Sequence, residues 1–202
     1  MDVMRSLLDG LPAQLAPLAN AARSLLDQPC DLSADGVLSF GHRSWVAPQN
    51  YTITLYPGLQ AEALGRYAVR FGLEVPAIYA AFLKSVNGAF CFGMSLAGVP
   101  RSMLGLPPLL DRSRLQCHDL GMTATQWVGE YRKLPTGAFH FGYRHFSPRE
   151  NIGYFVAGDR ILSLRKSGKV VGEWDSLSEF LSEELRASQD LDAELHPEEK
   201  PR

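Results

Sequence analysis

Several common features are missing from this 202-residue chain, and each absence removes a class of protein. No apolar run reaches about 18 residues, so no segment reads as a membrane-spanning helix. Cysteine is scarce. Cys30, Cys91 and Cys117 are odd in number and far apart, which gives neither a disulfide framework nor a CxxC pair. No G-x-G-x-x-G or Walker loop is present to cradle phosphates. The opening MDVMRSLLDGLPAQL lacks a basic start and a continuous apolar stretch, so it does not read as a secretory signal. A reducing cytoplasm is the expected location.

The composition is that of an ordinary globular domain, with 46% hydrophobic and 21% charged residues. The net charge of -2 conceals a split. Residues 1–172 hold 17 Lys and Arg against 12 Asp and Glu, a net +5, whereas residues 173–199 hold ten acids against Arg186 alone. Such a split can steer a charged partner, but a charge run of this kind more often forms a solvated helix face followed by a disordered tail, which is the favoured reading. The acidic candidates are Glu173, Asp175, Glu179 and Glu183. The competing basic candidates are Arg144, Arg149 and Arg165.

Residues 1–27 carry an apolar stripe, Leu8, Leu11, Leu15, Leu18, Ala22 and Leu25, which Gly10, Pro12 and Pro17 interrupt. Residues 37–56 read as β, with Tyr51, Ile53 and Leu55 alternating with Thr52, Thr54 and Tyr56. A helix pair follows. Leu64, Tyr67, Ala68 and Phe71 form one face, Gly72 suits the C-terminal cap, and Pro76 opens a second helix with Ile78, Tyr79, Phe82, Leu83 and Val86 on its buried side. Asn87-Gly88 reads as that helix's left-handed stop, and the apolar run 89–96 reads as one strand. Residues 99–138 favour loop at Pro100, Pro107 and Pro108. A capping-box pattern at Thr123 and Gln126 suggests a short helix bearing Met122, Trp127, Val128 and Tyr131.

From Phe139 onward, short strand-like runs are separated by the tight-turn pairs Gly158-Asp159 and Ser167-Gly168, which makes an antiparallel meander. A capping box at Ser176 and Glu179 starts a last helix, with Leu177, Phe180, Leu181 and Leu185 toward the core. After Ala187 the acidic chain is expected to fray. Helices and strands are segregated, so the fold class is α+β: an antiparallel meander with helices packed on one side.

Three pieces, in this order and spacing, resemble the SUKH superfamily, the Smi/Knr-type domain. They are VPAIYAAFLKSVNGAF (75–90), LPTGAFHFG (134–142) and GYFVAGDRILSLRKSGKVVGEWDSLSEFL (153–181). The resemblance covers residues 57–187, with 1–56 as an N-terminal extension and 188–202 as an acidic tail. It implies a non-enzymatic binding role. Bacterial members are largely immunity proteins that bind and block a toxin, often a nuclease, and eukaryotic relatives are regulatory interaction modules. No catalytic residues and no cofactor come with it. The expected partner is a protein, a cognate toxin domain, with neither membrane nor direct nucleic-acid contact.

The residues offer little chemistry beside this. His140 and His145 are five apart, which in a regular strand places them on opposite faces, and no Cys/His pair has zinc spacing. Gly93-Met94-Ser95-Leu96-Ala97-Gly98 misses the nucleophile-elbow spacing by one residue. Cys91 reads as a small core residue. Cys117 beside His118 is the candidate for a more reactive thiol. Arg165, Lys166 and Lys169 crowd one hairpin tip and Arg112 and Arg114 form a second basic spot, without an aromatic platform for bases. A self-pairing N-terminal stripe, Leu8–Leu25, is the alternative route to a binding function.

Overall fold

The structure is a computed structural model and describes residues 2–43, 50–105, 117–145 and 151–196. Among these, nine strands form one antiparallel sheet in which every strand pairs with its neighbour in sequence. They are β1 (Asp31–Leu32), β2 (Leu38–His42), β3 (Tyr51–Pro57), β4 (Val86–Cys91), β5 (Met94–Leu96), β6 (Phe139–His145), β7 (Asn151–Ala157), β8 (Arg160–Arg165) and β9 (Val170–Trp174). Six α-helices accompany them: α1 (Asp2–Asp9), α2 (Ala16–Arg23), α3 (Ala61–Phe71), α4 (Ala77–Ser85), α5 (Leu120–Thr125) and α6 (Leu177–Leu195). The architecture is α+β, as the segregation of helical and strand patterns leads one to expect.

Pairing fixes which side chains share a face. Phe40, Ile53, Cys91, Met94, Arg144 and Ile152 stand opposite one another across β2 to β7. This row belongs to the principal face. Its apolar members join Leu8 of α1, Leu18 and Ala22 of α2, Tyr79, Phe82 and Leu83 of α4, and Phe180 and Leu181 of α6 in one buried cluster. The next row, Thr54, Phe90, Ser95, Tyr143, Gly153 and Leu164, faces the other way. On that side a smaller cluster of Tyr131, Phe155, Leu162 and Leu164 is covered by residues 128–138. Gly153 makes this cover possible. A Cβ there would lie 2.5 Å from the Tyr131 ring, so only glycine lets the ring rest on β7.

Several expectations need correction. In the segment 1–56, β1 to β3 continue the same sheet and the Leu8–Leu18 stripe enters the same core, with Leu15 and Leu18 at 0% exposure. That stripe therefore has no apolar face left for self-pairing through those leucines. Asn87-Gly88 does not stop α4, which ends at Ser85; both residues lie inside β4. The apolar run 89–96 is a hairpin, because Phe92 and Gly93 take left-handed φ values of 47° and 81° as a two-residue primed turn requires. Helix α5 is capped by Asp119, whose side chain accepts from the Met122 N–H at 3.1 Å, and not by Thr123. Ser176 does cap α6, accepting from the Glu179 N–H at 3.2 Å. That helix runs on to Leu195 with Ser188 and Asp192 buried, so the fraying expected after Ala187 does not begin there; residues 197–202 lie outside the described residues.

The reason is a polar seam. Glu184, Ser188 and Asp192 recur every four residues, hence on one face of α6, and all three are buried. Glu184 meets Arg144 of β6 at 3.0 Å and accepts from the Tyr154 hydroxyl at 2.7 Å. Asp192 holds Arg43, just after β2, through both carboxylate oxygens. Burial raises the Glu184 pKa, and the Arg144 charge and the Tyr154 hydrogen bond draw it part of the way back. We expect Glu184→Ala to cost about 3–5 kcal/mol, because it strands the Arg144 charge. The double replacement Arg144→Met with Glu184→Met should recover most of that loss, read from urea unfolding midpoints at constant m.

Candidate functional site

Antiparallel connection order places the β2–β3, β4–β5, β6–β7 and β8–β9 connections at one end of the sheet. Beside that end, on the face away from the principal core, lies an open cleft of about 270 Å³. Its rings are Trp127, Tyr131, His140 and Tyr143, and its rim carries Glu130, His145, Asn151 and Lys166.

Each wall has a traceable origin. The chain around His118 is fixed against Gly98, with the Gly98 N–H donating to the His118 carbonyl at 2.8 Å and the Leu120 N–H to the Gly98 carbonyl at 2.9 Å. The start of α5 is held further by Tyr67, which donates to Asp119 and accepts from the Gly121 N–H at 2.6 Å. A 3-10 turn, Trp127–Glu130, follows α5 and delivers Trp127 and Glu130 to the cleft. The Arg132 N–H then donates to the Lys166 carbonyl at 2.9 Å and ties this turn to the end of β8.

The opposite wall is β6, and a bulge decides it. Register shifts between His140 and Gly142, so His140 faces Phe155, Tyr143 faces Gly153 and His145 faces Asn151. The extra residue cancels the odd spacing. His140 and His145 thus share the outer face and both line the cleft, which corrects the opposite-face expectation from regular alternation.

The rings are placed edge to face. Trp127 and Tyr143 have centroids 5.7 Å apart at 75°, and His118 stands against Tyr143 at 5.3 Å and 74°. Tyr143 Oη lies 2.5 Å from His118 Nδ1. Burial lowers the His118 pKa, which favours its neutral form, and the Tyr143 hydroxyl and His118 Nδ1 share one hydrogen bond. Burial is also the main cause that raises the Tyr143 pKa, against a small opposing contribution from Ser95.

His140 is a structural member of the wall. It is 1% exposed, stacks on Phe155 at 4.5 Å and 15°, and sets Nδ1 and Nε2 at 3.0 and 2.9 Å from the Thr123 and Gly142 carbonyls. Desolvation pushes its pKa down to about 4, with the two carbonyls working against that shift. With both nitrogens against carbonyls it has none to offer a metal. Among the described residues no group of three His, Cys, Asp or Glu is placed to hold a metal ion.

The thiols and the strand serine are equally occupied. Cys117 is buried beside the Val99 carbonyl and its pKa is pushed up to about 12, and burial raises Cys91 as well. Cys117 is therefore not the activated thiol that its neighbour His118 suggested. Ser95 is buried in β5, a strand rather than a nucleophile turn.

The acidic candidates meet at the β9–α6 junction, though most are already engaged. Glu173 and Asp175 lie 2.5 and 3.6 Å from Arg160, and Glu183 accepts from the Trp174 indole at 2.9 Å. Glu179 is exposed in the first turn of α6. Of the basic candidates, two are among the described residues. Arg144 is buried against Glu184, and Arg165 faces Ile152, in the same row as Arg144. Arg149, Arg112 and Arg114 lie outside the described residues.

Trp127, Glu130, Tyr131, Tyr143, Asn151 and Lys166 were not singled out as site residues from sequence. The outward Tyr143 and His145 of F-H-F-G-Y-R-H, once the glycine is read as a bulge, are the signal that locates them. Comparison with protein-family models, curated proteins and solved structures finds no match to the chain. No described helix is long and apolar enough to cross a membrane.

The neutral burial of His140 has a pH consequence. Between its folded value of about 4 and its ordinary 6.5, the unfolded chain takes up a proton that the folded chain refuses, so stability falls as pH drops through that window. The contribution at stake is about 3 kcal/mol. Urea unfolding at pH 7 and pH 4.5 should show a loss that is mostly absent in His140→Gln, which retains a donor for the carbonyls.

Proposed function

We propose that the chain acts by binding another protein, as a SUKH-type immunity protein that neutralises a cognate toxin by stoichiometric binding. The observation that carries the binding reading is the cleft: the half-buried Trp127 and Tyr143, with a polar rim, line an opening at a loop-bearing end of the sheet. Aromatic anchors around a small hollow are the usual centre of a protein interface. Of the cleft's described residues, His140 lies with both ring nitrogens against backbone carbonyls and Tyr143 is tied to His118. The toxin partner rests on the resemblance of residues 75–90, 134–142 and 153–181 to the SUKH pattern, and the cytoplasmic setting on the three scattered cysteines.

A second contact region is favoured by one observation, the exposed Glu179 at the start of α6 beside Glu183, which would suit a basic nuclease. A regulatory interaction module with no toxin would use the same surfaces. The two are separated by whether the partner harms a cell that lacks this chain.

The test is a tagged capture from the native host, followed by affinity measurement with the partner encoded beside it. Trp127→Ala with Tyr143→Ala is expected to weaken that complex by about 30-fold or more, the scale of an aromatic hot spot, and to lower the unfolding midpoint without abolishing the cooperative transition, since both rings also pack on His118 and on each other. Glu179→Lys with Glu183→Lys is expected to slow association by several-fold at low salt. Full affinity in the aromatic double variant would move the interface off the cleft.

A further inference from the structure

We infer that the cleft receives an arginine side chain projecting from the protein partner; this rests on the cleft being the partner-binding surface, as proposed above. The walls include Trp127, Tyr131 and Tyr143, residue types whose rings attract cations, with tryptophan the strongest of them. The rim supplies a carboxylate, Glu130. The Tyr143 hydroxyl, 2.5 Å from His118 Nδ1, adds a polar group. A carboxylate beside aromatic rings calls for a flat, multiply donating cation, and a guanidinium is the protein group that meets both demands.

Two further observations narrow the choice. Glu130 already holds a cation: Lys166 Nζ lies 2.5 Å from it, and both side chains are about half exposed, at 47% and 51%. An exposed pair of this kind is weak, about 0–1 kcal/mol, so it yields to a guanidinium that adds bidentate hydrogen bonds and stacking. Lys166 is also the only Lys or Arg lining the cleft among the described residues, and it is engaged with Glu130, which disfavours an anionic guest. At about 270 Å³ the cleft accepts one long side chain, and not a helix, whose diameter is about 10–12 Å.

The experiment titrates the full-length, ¹⁵N-labelled chain with N-acetyl-arginine amide and, in parallel, with N-acetyl-citrulline amide, its neutral near-isostere. The readout is the Trp127 indole N–H resonance, assigned by its loss in Trp127→Phe. Saturable movement with the arginine amide at a Kd of about 1–10 mM, and none with the citrulline amide, is the expected result, since one side chain supplies only part of an interface. Glu130→Gln should weaken binding at least tenfold, and Lys166→Ala, which frees the carboxylate, should tighten it several-fold. Equal response to citrulline, or weaker binding in Lys166→Ala, overturns the proposal. Micromolar binding of the free amide would make the cleft a small-molecule site and also overturn it. No response to arginine, with partner capture still dependent on Trp127, removes the arginine and leaves the partner-binding reading standing.

Discussion

Helix α6 is held to the sheet by charge as well as by apolar packing, and the rest of the helix layer depends on where it lies. Leu177, Phe180, Leu181 and Leu185 bring its first turns into the principal core. Beyond them the buried positions become Glu184, Ser188 and Asp192, and the partners become Arg144 and Arg43 from two different parts of the sheet. Apolar contact alone tolerates sliding. Two carboxylates eight residues apart, each matched to an arginine, fix register and direction, which is the role in which buried ionic groups are best attested. The helix so placed packs on α2 and on the 3-10 turn before it, and so anchors the N-terminal helices to the same core.

The two faces of the sheet consequently do different work. The helix face is filled, with Tyr79, Phe82, Phe141 and Phe180 fully buried there. The other face is covered over β7 and β8 by Tyr131 and its neighbours and stays open at the end of β6. The bulge at His140–Gly142 is the hinge between these regimes. It keeps His140 stacked in the covered region and brings Tyr143 and His145 out beside the opening. A binding role sits comfortably on this arrangement, because the rings that would meet a partner are braced by strand pairing and backbone hydrogen bonds and need little ordering on contact.

Much of this was legible in the residues. Period-two alternation and the Gly158-Asp159 and Ser167-Gly168 turns announced the meander, and Ser176 with Glu179 announced the start of α6. The failures have physical causes. A continuous apolar run from Ala89 to Leu96 conceals its own turn, because the turn residue Phe92 is itself buried. A bulge changes facing without changing composition, so His140 and His145 looked opposed. The charges of 184–192 read as solvated face, since only the fold reveals that Arg43 and Arg144 wait beneath them. For the same reason Arg144 resembled a surface cation. The cleft was harder still, because its walls come from residues 127–131, β6 and the end of β8, and no local pattern joins them.

Helix α6 also has a consequence for synthesis. Each hairpin of the meander can form as soon as its second strand leaves the ribosome, since pairing runs strictly with chain order. The arginines of β6 and of the chain after β2 must wait for carboxylates made much later, at 184 and 192. Until then the nascent sheet carries two cations without their counter-charges, and its apolar face, already met by α1, α2 and α4, lacks the cover that Phe180, Leu181 and Leu185 supply. A chain stopped short of residue 184 would leave both arginines unpaired and that part of the core open to other chains.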